Sequence, residues 1–156
     1  MNKSVLAGII AAIALAACGY ALTEVPRRTV AELPTGAILV DGRRIATRVA
    51  ATPGDRSLGF QYASPEQIRH ELIYFPYQHA HIVSFHMENV AEPLLIAWIG
   101  PDHRVIAIDQ MEPGSCCYEP PSEIIAALEF APAHPLTARI RPGSQVRLAR
   151  PVFGDQ

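Results

Sequence analysis

The dipeptide Asp41-Gly42 restricts the fold of this chain more than any other feature. It stands between an apolar run, Ala37 to Val40, and a second run from about Arg44 to Ala51. Asp-Gly favours the type I′ turn, which needs positive φ and sets two strands side by side with matched twist. A β-hairpin is therefore expected, with Ile45, Thr47 and Val49 sharing one face of its return strand.

Beyond the hairpin the chain reads as a series of short elements. Thr52-Pro53-Gly54-Asp55 reads as a helix start, with Thr as N-cap, Pro at the first position and Asp at the positive end of the helix dipole. That helix should reach about Phe60. Ser64-Pro65-Glu66-Gln67 repeats the signal at capping-box spacing, giving a short helix to about His70. Leu72 to Phe75 reads as a buried strand. Strand texture returns at His81 to Met87, Leu94 to Ile99 and Arg104 to Met111, divided by Pro93 and by the Gly100-Pro101-Asp102 turn. Ile96, Trp98 and Ile99 are core candidates. Residues 112 to 122 read as a Pro-rich loop holding Cys116 and Cys117. Ile124 to Phe130 fits a strand or a helix by period alone. Pro135 to Ile140 is a candidate short helix, and Pro142-Gly143 turns into a last strand, Gln145 to Leu148. There are no repeats and no low-complexity segment. The pattern predicts a mainly β fold, a small β sandwich or barrel with two or three short helices.

The N-terminus obeys other rules. Lys3 precedes an uncharged apolar run from Val5 to Ala17, the layout of a secretory signal and too short for a comfortable transmembrane helix. It ends Leu15-Ala16-Ala17-Cys18, which resembles the lipobox of bacterial lipoproteins. The resemblance implies that the Cys18 sulfur receives a diacylglycerol and that cleavage leaves Cys18 as the first residue. Thioether formation requires the nucleophilic thiolate, and the acyl chains would anchor the protein to a leaflet without spanning it. Gly19, in place of an Asp, points to the outer membrane. The expected organisation is a signal peptide at 1–17, the lipidated Cys18 and a tether at 18–35, one domain at 36–150, and a tail at 151–156. Removing residues 1–17 from 156 leaves 139, enough for one domain. Lys3 is the chain's one lysine, so the processed chain carries 12 basic and 15 acidic residues, a formal charge of −3. With no basic stripe interleaved with aromatics, nucleic acid is not an expected partner.

Between residues 37 and 149 an ordered set of motifs appears. Arg56 precedes Gly59-Phe60, and Leu72-Ile73-Tyr74-Phe75 comes next. Phe85-His86-Met87-Glu88-Asn89 is followed by Pro93-Leu94-Leu95-Ile96. Gly100-Pro101-Asp102, Leu128-Glu129 and Pro142-Gly143-Ser144 close the set. The order and spacing resemble the domain-of-unknown-function 192 family, also called uncharacterised protein family 0127. The sequence departs from that pattern at Gly59-Phe60-Gln61, where Gly-Leu-Met is usual, at His86, where an aromatic is usual, and at Ser144, which stands for Asp. The resemblance implies a compact β sandwich or barrel with small helices and no particular mechanism.

Several constellations could carry chemistry. Arg56, Met87 and Asn89 belong to the family pattern and form a candidate ligand pocket, while Arg56 with Glu129 could instead be a buried ion pair. His79 and His81 would share a strand face and could bind copper or zinc. On a straight strand His86 would face the other way, and Met87 would lie roughly 20 Å along. A turn near Ile82 would be needed to gather the set. Cys116-Cys117 is not a Cys-x-x-Cys at a helix start, so a structural or incidental pair is expected. Ser84, Ser115 and Ser122 lack a nucleophile-elbow context, and Glu88 with Glu92 read as solvated charges. Arg139, Arg141, Arg147 and Arg150 read as a charged strand edge that opposes aggregation.

The function these features favour is that of a cell-envelope lipoprotein whose domain binds a small ligand or an envelope protein without catalysis and without a cofactor. One alternative is periplasmic metal handling through His79 and His81. Another is a hydrolase or thiol enzyme. The expected location is the periplasmic face of the outer membrane, held by the lipid on Cys18.

Overall fold

The computed structural model describes residues 27–149. The Asp41-Gly42 turn is built as expected, with φ of 48° and 82°. It joins β1 (Thr35–Val40) to β2 (Arg43–Val49) in an antiparallel ladder. Helix α1 (Pro53–Leu58) starts at Thr52, whose hydroxyl accepts from the Asp55 amide at 3.1 Å. Helix α2 (Pro65–His70) starts with the full capping box of Ser64 and Gln67. These helices form the crossover that parallel pairing requires, because β3 (Leu72–His81) lies parallel to β2. The short strand β4 (Phe85–His86) comes after a turn. Then come β5 (Leu94–Ile99), β6 (Val105–Met111), β7 (Cys116–Tyr118) and β8 (Ile124–Phe130). A 3-10 turn at Pro135–Ala138 leads to β9 (Val146–Leu148).

Seven strands form one sheet in the order β6-β5-β8-β3-β2-β1-β9, and β4 pairs with β7 as a separate two-stranded ribbon. The large sheet curls until its edges meet at one isolated bridge, Arg104 to Gln145. A single bridge is not a ladder, so the expectation of a sandwich holds and the closed barrel does not. The second layer is supplied by the β4/β7 ribbon. Phe85 packs edge-on against Phe75 and Trp98, with centroids 5.1 and 5.5 Å apart.

Strand β8 lies between β3 and β5, and apolar side chains cover it on both faces. One face adds Ala127 to a cluster with Phe60, Ile68, Ile73, Phe75, Ile96 and Trp98. The other adds Leu128 and Phe130 to a cluster with Ile38, Val40, Ile99 and Val146. A strand buried on both faces loses its polar alternation, which is why Ile124 to Phe130 does not declare its period. Burying a side chain the size of Phe60, Phe75 or Phe130 contributes about 1.5–3 kcal/mol each. These rings therefore hold the sheet, the helices and the β4/β7 ribbon together.

Two expectations about strands need correction, and the segment before β1 packs on the domain, with Val30 and Leu33 buried in the first cluster. Arg48 fastens this segment by donating to the carbonyls of Ala31 and Leu33, while it forms a two-point ion pair with Glu71. Strand β3 does not stop at Phe75: Pro76 continues it, paired with Ala126, and it runs to His81. Within the expected 112–122 loop, Cys116–Tyr118 forms β7.

Candidate functional site

A cleft of about 860 Å³ opens between α1 with its exit, the second half of β3, the 83–86 segment and Glu129 of β8. Local sequence builds each wall. Asp55 is held in place by Thr52 and by Arg28 at 3.0 Å. The hydrogen bond from Thr52 keeps its carboxyl below the usual range. One residue further, Arg56 points its guanidinium over the Tyr77 ring at 5.3 Å and donates to the Ala51 carbonyl. The chain leaves α1 through Gly59 at φ 48° and ψ −133°, a conformation that side chains resist. A Cβ at Gly59 would lie 3.7 Å from Glu129 Oε2 and 3.9 Å from Phe75 Cζ. Those are ordinary contacts, so it is the backbone conformation, not a lack of space, that calls for glycine beside the Glu129 carboxyl.

Glu129 sits between Ile73 and Ile96 in the middle of the sheet. It is 4% exposed, and no described side chain forms an ion pair with it. Burial pushes its carboxyl up to about 8, so at pH 7 it is largely a neutral acid able to donate a hydrogen bond. Arg56 and Glu129 both face the cleft, and the ion pair that the sequence allowed between them does not form. Tyr77 lies between their influences. Burial raises its phenol well above the ordinary value, with Arg56 opposing and Glu129 reinforcing the shift.

The other predicted residues are divided. Of Arg56, Met87 and Asn89, Arg56 alone lines the cleft. Met87 is fully buried in the first cluster beneath it. Asn89 occupies a left-handed turn at φ 57° and donates to Gln61 and to the Tyr62 hydroxyl, so it braces the end of the α1 loop. His79 and His81 both line the cleft. His81 packs edge-on to Tyr77 with centroids 4.6 Å apart, and its Nδ1 lies 2.9 Å from the His79 carbonyl. The turn at residues 82–84 brings His86 to the same cleft, against the straight-strand expectation. Among the described residues, no three His, Cys, Asp or Glu side chains converge as metal ligands. Ser57 and Ser84 also line the cleft, but neither hydroxyl bonds a histidine among the described residues.

Cys116 and Cys117 are joined as a vicinal disulfide, with Cys117 at φ 72°. They lie on the strand that pairs with β4. Arg139, Arg141 and Arg147 are exposed near the β9 edge of the sheet. Cys18 and Arg150 lie outside the described residues. Sequence reasoning missed Tyr77 and Phe85 as cleft walls and treated Glu129 as structural. One signal was available for Glu129: a single carboxylate inside an otherwise apolar run, Ile124 to Phe130.

The fold and the ordered motifs agree with the comparisons. The profile of DUF192, described as an uncharacterized ACR, matches residues 36–148. The chain belongs to the DUF192 family. A protein of unknown function from Novosphingobium aromaticivorans is similar in structure, with a TM-score of 0.62 and 26% identity over 74% of this chain and 86% of that one. A Sinorhizobium meliloti protein described as a candidate transcription regulator has a TM-score of 0.61 over 80% of this chain and 98% of that one. At 18% identity, its likeness to this DUF192 chain is one of fold. No curated protein matches the sequence.

Proposed function

We propose that this DUF192 domain is the small-ligand-binding module of an exported lipoprotein, with the cleft between α1, β3 and β4 as its binding site. One observation carries the reading: a drug-sized cleft is walled by aromatic rings and holds two convergent polar groups, Arg56 and Glu129, that pair with nothing charged among the described residues. Binding sites combine an apolar lining with a few placed polar groups and perturbed titration in this way. An unpaired buried carboxyl costs stability, and a ligand that bonds it would recover part of that cost. The Leu15-Ala16-Ala17-Cys18 sequence supports the anchor and the envelope location.

The test is mass spectrometry of small molecules that remain with the chain purified from its host, repeated on Glu129→Ala. A ligand retained by the wild type and lost from the variant supports the reading. Retention that ignores Glu129→Ala counts against the cleft. Replacing Cys18 with Ser should release the protein from membranes and abolish incorporation of labelled fatty acid.

A second reading, metal handling, draws on the gathering of His79, His81 and His86 at one cleft. Near-stoichiometric copper or zinc after purification, lost when His79 and His81 are both replaced, would put it first.

A further inference from the structure

Resting on the cleft as a ligand site, we propose that its ligand is a small organic anion carrying a flat apolar group, with the anionic end at Arg56 and the flat group against the half-buried rings of Tyr77 and Phe85.

The charges on the walls lead to this class. The titratable side chains that face the cleft are Arg56 from α1, Tyr77, His79 and His81 from β3, His86 from β4, and Glu129 from β8. Arg56 is the one fixed cation among them, and no ionised acid opposes it at neutral pH, because burial keeps Glu129 protonated. Any histidine that gains a proton adds positive charge. An ammonium ligand would therefore meet a guanidinium and no counter-charge, whereas a carboxylate or sulfonate would meet its complement.

Arg56 is also free to act. The arginines Arg28, Arg48 and Arg69 each face a carboxylate. Arg56 faces none among the described residues, although it is half-buried. Its hydrogen bond to Ala51 uses one N–H, and a guanidinium has five. Stacking over Tyr77 fixes the plane of the group without using the remaining donors. The protonated Glu129 adds an O–H donor that an oxygen of the ligand can accept. The flat group follows from the rings: Phe85 is held edge-on to Phe75, so its faces are kept in place before any ligand arrives.

The experiment titrates the full-length chain, in a non-ionic detergent at pH 7, with 2-naphthoate, 2-naphthamide and 2-naphthylmethylammonium. Amide chemical shifts of Gly59, Tyr77, His81 and Phe85 locate any binding. The expected result is binding of 2-naphthoate at least about tenfold tighter than of the amide or the ammonium, the size of one charge-assisted contact. Arg56→Gln should erase that preference, and Arg56→Lys should keep most of it. Equal or tighter binding of the amide or ammonium overturns the anion class while leaving the small-ligand reading in place. A naphthoate preference that survives Arg56→Gln also overturns the proposal. If none of the three probes shifts the cleft amides, the cleft reading falls and takes this inference with it. The comparison among the three probes on the unaltered chain stands even if Arg56→Gln fails to fold.

Discussion

Replacing Glu129 with Gln should remove a large pH dependence of stability. The carboxyl is 4% exposed and faces no described ion-pair partner, and burial raises its pKa from 4.5 to about 8. Between those two values the folded chain holds a proton that the unfolded chain releases. The contribution of this group to stability is thus complete below pH 4.5 and is lost as the pH rises through 8. Each pH unit between the two values is worth about 1.4 kcal/mol, so the full loss is about 5 kcal/mol, of which about 3–4 kcal/mol falls between pH 5 and pH 8. Gln has nearly the shape of the neutral acid and no proton to lose, so Glu129→Gln should match the wild type near pH 5 and exceed it increasingly toward pH 8. Urea unfolding of both proteins at half-unit steps of pH measures the difference directly, and the contributions of all other groups cancel in it. A difference that stays flat across this window would falsify the reasoning, because it would mean that Glu129 is ionised in the folded protein. Addition of a cleft-binding anion should push the Glu129 transition to still higher pH, since such a ligand is bonded by the protonated form.

The remaining predictions concern the walls of the cleft. Gly59→Ala should cost about 1–3 kcal/mol in urea unfolding because of the backbone at φ 48°, while the space around a Cβ is ordinary. Gly54→Ala, at a helical position with open space, should be neutral or slightly stabilising, and equal effects at the two sites would refute the backbone argument. Thr52→Ala removes the cap of α1 and should cost about 1 kcal/mol, with the Asp55 carboxyl moving up toward its ordinary value in a carboxyl NMR titration. Changing Cys116 and Cys117 together to Ser frees Cys117 from its covalent ring. Hydrogen exchange should then accelerate about tenfold at residues 85–87 and 114–118, which share the pairing of β4 with β7, with no change in β8. Unchanged exchange at 85–87 would show that the packing of Phe85 alone holds the β4/β7 ribbon.

Much of the fold was legible in local chemistry. The Asp41-Gly42 turn, the Thr52 and Ser64 caps and the limits of β5 follow from turn and capping rules that act over a few residues, and the structure has all of them. The sequence alone also determined the family, because an ordered set of weak motifs can be read without coordinates. Tertiary structure decided the rest. Strand β8 is a strand because β3 and β5 hydrogen-bond to both of its edges, which no local period reports. Strand β3 runs on through Pro76, and the turn after His81 carries His86 to the side of His79 and His81. Glu129 lines the cleft without forming an ion pair with Arg56, and its burial at the centre of the sheet favours the neutral acid. Burial and the direction of a side chain depend on contacts made far apart along the chain, so the cleft exists only once the chain has folded.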